Sequence, residues 1–208
     1  LPGAGDDVAA ALQQVGYDVT LLDARALQQP LQSYEAIVVG IRAFNVNPRL
    51  AAQHDRLMAY VEAGGTLIVQ YNTSNRLGKL DAPLGPWPFS ISQERVTEES
   101  AAIQRLVEHP IFTTPNAIGD RDFADWVQER GLYFASPFDA RYVAPLGMHD
   151  TGEPQRRGAL LIGAHGKGRF VYTGLSFFRQ LPAGVPGAFR LFANLLGAAP
   201  ATRGKRGK

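Results

Sequence analysis

Apolar positions over the first 75 residues follow two alternating rhythms. Val8, Leu12 and Val15 recur at helical spacing, with Asp6 or Asp7 able to cap the start and Gly16 to stop it. Residues 17–22 and 36–40 are short runs rich in branched side chains, which predict strands. Pro48 opens a longer predicted helix with Leu50, His54, Leu57, Met58 and Val61 on one face, ending at Gly64-Gly65. Residues 66–71 then predict a third, buried strand. Strands that alternate with helices argue for a parallel sheet covered on both faces.

Residues 76–158 lose that rhythm. Prolines at 83, 86, 88, 110, 115, 137, 145 and 154 break them into short segments, which predicts an irregular insertion that shapes a pocket. Regularity returns with two apolar runs, 159–164 and 169–175, joined by Gly166-Lys167-Gly168, the signature of a hairpin. A last helix over 186–196 turns Phe189, Phe192, Ala193 and Leu196 inward, and residues 198–208 read as a disordered basic tail.

The predicted architecture is α/β, a flavodoxin-like three-layer sandwich with a mostly parallel sheet and a C-terminal hairpin. One domain spans 1–197 and carries the insertion. Leu1-Pro2-Gly3-Ala4-Gly5-Asp6 reads as the loop between a strand and a helix, so a first, central strand is expected upstream of Leu1, standing between runs 17–22 and 36–40.

Hydrophobic residues make up 45% of the 208, enough for a sizeable core. The formal charge of +2 misleads, because Arg203, Lys205, Arg206 and Lys208 in the tail supply four of the 21 positive charges against 19 negative ones. The body is therefore slightly acidic, which argues against a nucleic-acid partner. No apolar run approaches the ~20 residues of a membrane span. With no cysteine in the chain, disulfides, thiolate metal sites and cysteine nucleophiles are excluded.

Several motifs point to chemistry and then depart from it. Gly3-Ala4-Gly5 begins like a dinucleotide fingerprint, but Val8 stands where the third glycine belongs. Gly163 to Gly168 contains a Gly-Lys pair between strands rather than before a helix. Gly174-Leu175-Ser176-Phe177-Phe178 half-matches a nucleophile elbow, yet Phe178 replaces the small residue that the sharp turn needs, and no histidine is placed to act as base. Asp120, Asp122 and Asp125 lack the glycine and glutamate of a calcium loop, and His54, His109, His149 and His165 share no metal-ligand spacing. Asn72-Thr73-Ser74 matches a glycosylation sequon at a strand end, an awkward acceptor position. No catalytic residue, metal site or cofactor is expected.

Polar and aromatic clusters remain at the loops. Arg42, Asn72 and Arg179 each follow a predicted strand, so they should gather at the carboxyl edge of the sheet, where open α/β sheets bind ligands. With Asn45, Arg76, Trp126, Gln128, Glu129, Arg130 and Gln180 they form the candidate ligand-binding set, expected to line the main pocket. Arginine, amide and indole groups suit sugars or carboxylates, through paired hydrogen bonds and ring stacking. The same residues can instead tie loops together.

Four stretches carry a family resemblance: Val38-Val39-Gly40-Ile41-Arg42-Ala43-Phe44-Asn45, Val69-Gln70-Tyr71-Asn72-Thr73, the run from Trp126 to Phe134, and the run from Ser176 to Ala188. Together they resemble the C-terminal domain of long bacterial PIG-L (LmbE-like) deacetylases, over nearly the whole chain. That domain looks like the ThuA-like branch of the class I glutamine amidotransferase fold, with Gly168 to Leu175 similar to the strand before that family's active-site loop. An amidotransferase cysteine would fall near Tyr71 or Asn72, and a ThuA-type Gly-His pair near Ser176-Phe177, and neither is here.

PIG-L enzymes are zinc hydrolases that deacetylate N-acetylated sugars through a His-Pro-Asp-Asp motif, whereas His109-Pro110 continues as Ile111-Phe112. The resemblance therefore implies a non-catalytic accessory domain that binds a glycan or N-acetyl sugar, or packs on an upstream catalytic domain of the same parent chain. It also implies an exported or periplasmic bacterial protein. The alternative is a ThuA-like hydrolase or sugar-modifying enzyme acting on its own, with Ser176, Glu129 or Asp122 in an unassigned role.

Overall fold

The structure, a computed structural model, describes residues 1–23, 25–75 and 80–197. Two-residue alternation and helical spacing resolve in chain order into α1 (Val8–Gln14), β1 (Ala36–Val39), α2 (Ala43–Val46), α3 (His54–Glu62), β2 (Thr66–Gln70), β3 (Phe89–Ile91), β4 (Arg95–Val96), β5 (Ile103–Arg105), β6 (Gly131–Leu132), β7 (Ala135–Phe138), β8 (Leu146–Met148), β9 (Leu160–His165), β10 (Gly168–Thr173), α4 (Phe177–Gln180) and α5 (Pro186–Leu196).

The central sheet has the order β1-β2-β10-β9. β1 and β10 flank β2 in parallel, with Val38 and Val171 both opposite Ile68, and β9 closes the edge antiparallel to β10. Every residue of β2 is buried, as expected of a strand paired on both edges and covered on both faces. Alternate side chains sort into two cores. Ile68, Val171, Leu160 and Ile162 pack with α1 and α5, while Ile37, Val39, Leu67, Val69, Phe170 and Tyr172 pack with α3. The molecule is thus mixed α/β with a mostly parallel central sheet.

The predicted helix from Pro48 is shorter than expected: a single 3₁₀ turn at Ala51–Gln53 precedes α3, and Gly64 at φ +123 stops it. The strand expected at residues 17–22 does not form. On the edge of β1 away from β2, the position expected for the upstream strand, the backbone of Leu1 donates to the Val38 carbonyl (2.9 Å) and accepts from the Gly40 amide (2.9 Å), the bonding pattern of a parallel neighbour. Residues 17–22 therefore do not pair with β1, and Tyr17 and Leu21 remain exposed.

The insertion is more ordered than its prolines predict. It holds three two-stranded antiparallel pairs, β3-β7, β4-β6 and β5-β8, each with strands of only two to four residues. Segments that short escape a periodicity argument. Buried side chains of the insertion, including Trp126, Phe134, Leu146 and Met148, complete the core on the α1/α5 face.

Candidate functional site

Each of the three parallel strands ends in a loop on the same edge of the sheet. β1 leads through Gly40 to Arg42, β2 to Tyr71 and Asn72, and β10 through Gly174 to Ser176 and α4. The insertion joins them. Gly131 bridges Leu175, the Leu132 amide donates to the Gly174 carbonyl (2.8 Å), and the Ser176 amide donates to the Arg130 carbonyl (3.1 Å). Only glycine permits this approach, since a β-carbon at Gly131 would lie 2.4 Å from the Gly174 oxygen. The contact carries Glu129 and Tyr133 to the rim.

Among the described residues, the non-glycine residues with left-handed backbone are Arg42 (φ 55), Gln128 (φ 68) and Tyr133 (φ 54). All three belong to this rim or to the segment that reaches it. Such conformations cost of order 1–3 kcal/mol each and gather where a side chain must be aimed. Hydrogen bonds hold all three: the Arg42 amide donates to the Tyr71 carbonyl (2.8 Å), the buried Tyr172 hydroxyl donates to the Tyr133 carbonyl (2.6 Å), and the Gln128 backbone amide donates to the Glu99 carboxylate (2.7 Å).

The result is an aromatic patch edged by charge. Tyr71 and Tyr133 stack with ring centres 5.5 Å apart, and Phe178 tilts against Tyr71 at 5.2 Å. The Arg179 guanidinium lies 4.9 Å from the Phe178 ring centre, and its Nε donates to Glu129 Oε1 (2.7 Å). Burial pushes the Tyr71 phenol above its ordinary range, partly offset by the positive charges of Arg42 and Arg179 and reinforced by Tyr133 and Glu129. Those groups therefore surround one hydroxyl. Arg42 is exposed, and its guanidinium has no acidic partner among the described residues.

The other candidates divide differently. Asn72 is buried and fully engaged: its Oδ1 accepts from the Phe44 amide and its Nδ2 donates to the Gln70 carbonyl, both at 3.0 Å. Asn45 exchanges two bonds with the Thr73 backbone. Gln180 clamps both backbone groups of Val127 at 2.8 Å. Trp126 is a core residue whose indole donates to the Asp122 carbonyl, and buried Arg130 donates to the Ala101 and Phe123 carbonyls. These five residues build the scaffold rather than a contact surface. Gln128 is exposed, anchored through its amide to Glu99 (2.7 Å). Arg76 lies outside the described residues.

The rim residues do not line the concavity beside α3. That space of about 410 Å³ is bounded by His54, Trp87 and the proline-rich run 80–89. Ser176 stands where an elbow nucleophile would, but its buried hydroxyl donates to the Glu129 carbonyl (2.6 Å) and accepts from Gln180 Nε2 (3.0 Å). No imidazole is among its partners. Sequence reasoning missed Tyr71 and Tyr133 as rim residues, and it placed Phe178 beside Arg179 at the loops without counting it in the ligand-binding set. Tyr71 follows a strand, as Arg42 and Asn72 do, but the aim of Tyr133 depends on a left-handed backbone that no local motif announces.

No protein-family model matches the sequence, and no curated protein matches it. Solved structures do share its fold. The cytoplasmic protein STM3548 from Salmonella typhimurium superposes with a TM-score of 0.56 at 16% identity, over 94% of this chain and 88% of that one. The cytoplasmic protein STM1381 from Salmonella typhimurium LT2 gives 0.53 at 19% identity, over 91% and 84%. A cold-adapted β-galactosidase from Rahnella sp. R3 gives 0.50 at 17% identity, over 89% of this chain but 26% of that one. At these identities the likeness is one of fold.

Proposed function

We propose that this chain is a non-catalytic, flavodoxin-like accessory domain of the class I amidotransferase-like kind, belonging to a PIG-L/LmbE-type deacetylase and binding glycan at the carboxyl rim of its sheet. The observation that carries the reading is the aromatic patch at the strand ends, where left-handed Tyr133 stacks on Tyr71, Phe178 tilts against Tyr71, and Arg179 lies over Phe178. Aromatic faces bind the apolar face of a pyranose, and fixed guanidinium and amide groups select among its substituents. The engaged hydroxyl of Ser176 supports a binding role over hydrolysis. That a β-galactosidase carries this fold over about a quarter of its length agrees with an accessory position.

Calorimetric titration of the chain with N-acetylglucosamine and its short oligomers tests the reading. Binding that Tyr133→Ala abolishes without unfolding the protein is the expected result. A chain that binds none of these sugars, or that itself releases acetate from them, contradicts it.

A further inference from the structure

Among the described residues, the charges at the rim do not balance. Two guanidinium groups, those of Arg42 and Arg179, act on the Tyr71 hydroxyl, against one carboxylate, Glu129. Glu129 is already committed to Arg179 through Nε at 2.7 Å. The two terminal nitrogens of Arg179 and the whole fork of Arg42 have no partner among the described residues. The Tyr71 hydroxyl likewise has no hydrogen-bond partner there, and it is not among the atoms sealed from solvent.

An exposed arginine is ordinary, but the backbone of this one is fixed at the strand end. Arg42 sits at φ 55 and is pinned through its amide to the Tyr71 carbonyl. An unpaired guanidinium carried on a strained, hydrogen-bonded backbone next to Tyr71 is within reach of an incoming partner of opposite sign at the ring stack.

Resting on the glycan reading above, we propose that the preferred ligand is an acidic sugar whose carboxylate is received by Arg42, with Arg179 and the Tyr71 hydroxyl as further donors, while its ring lies on Tyr133 and Phe178. A planar carboxylate matches the fork of a guanidinium and accepts two parallel hydrogen bonds. A neutral N-acetyl sugar can use the rings but leaves Arg42 unanswered.

The test compares four probes by calorimetry on the 208-residue chain: methyl glucuronide, N-acetylglucosamine, glucose 6-phosphate and sodium acetate. The expected result is that methyl glucuronide binds at least about tenfold more tightly than N-acetylglucosamine, the scale of a charge-assisted hydrogen bond. Arg42→Gln should remove that preference, with Arg42→Lys recovering part of it. Lys167→Gln, in the hairpin turn at the opposite end of the sheet, should leave it intact.

Equal affinity for the glucuronide and N-acetylglucosamine, or a preference that survives Arg42→Gln, overturns the carboxylate assignment and leaves glycan binding standing. Tighter binding of glucose 6-phosphate assigns the anion to phosphate and overturns it as well. Acetate binding as tightly as the glucuronide, or no sugar binding at all, removes the glycan reading and this inference with it.

Discussion

Tyr133 stacks on Tyr71 with the two rings 5.5 Å apart and 14° from parallel, although its own backbone sits at φ 54, in the left-handed region. Ring placement and backbone strain are therefore coupled at one residue. Glycine relieves the strain and alanine does not, while both remove the ring. Tyr133→Gly should be more stable than Tyr133→Ala by about 1 kcal/mol, measured by urea denaturation, with sugar binding lost in both. Equal stabilities would show that the conformation is not strained.

Ser176 belongs to the scaffold. Replacing it by alanine removes the donor to the Glu129 carbonyl and the acceptor for Gln180 Nε2. The cost should be about 1–3 kcal/mol, the range for a buried polar group left without its partner. Amide shifts should change along 127–130, the segment that Gln180 clamps. An unperturbed Ser176→Ala protein would refute the assignment.

Tyr60 ties α3 to the loop before β1, its hydroxyl donating to the Tyr34 carbonyl at 3.0 Å. Burial pushes its phenol from 10.0 up to about 12, the Thr66 backbone offsetting part of that and Glu35 adding to it. A group with a raised folded pKa stabilises fully below its unfolded value, so its contribution should persist up to pH 10.0 and fall as pH rises toward about 12. Tyr60→Phe should lower neutral stability by about 1 kcal/mol and flatten the alkaline loss. Denaturation midpoints across that pH window decide it, and an unchanged slope would be the contrary result.

The sequence made the strongly periodic parts legible. The helix at Val8–Gln14, the strands at 36–39 and 66–70, the hairpin of β9 and β10 and the helix at Pro186–Leu196 all follow from spacing and turn chemistry. Residues 17–22 have strand composition, but a strand exists only with a neighbour, and the edge of β1 carries only Leu1 there. The six strands of the insertion are too short to show a period. At the rim, Arg42 and Arg179 could be found because each follows a strand. Phe178 stands in the same cluster as Arg179, whereas Tyr133 could not be found, because it lies in the insertion and reaches the rim through the bridge between Gly131 and Leu175. Trp126 and Arg130, which look like contact residues in the chain, are consumed by the core and by backbone carbonyls.

The most direct test of the account is a map of amide and side-chain chemical shifts on titrating the ¹⁵N-labelled chain with N-acetylglucosamine and methyl glucuronide. Saturable changes confined to Arg42, Tyr71, Gln128, Tyr133, Phe178 and Arg179 are the predicted result. Changes centred instead on His54 and Trp87, which line the concavity beside α3, or no saturable change with either sugar, would contradict it.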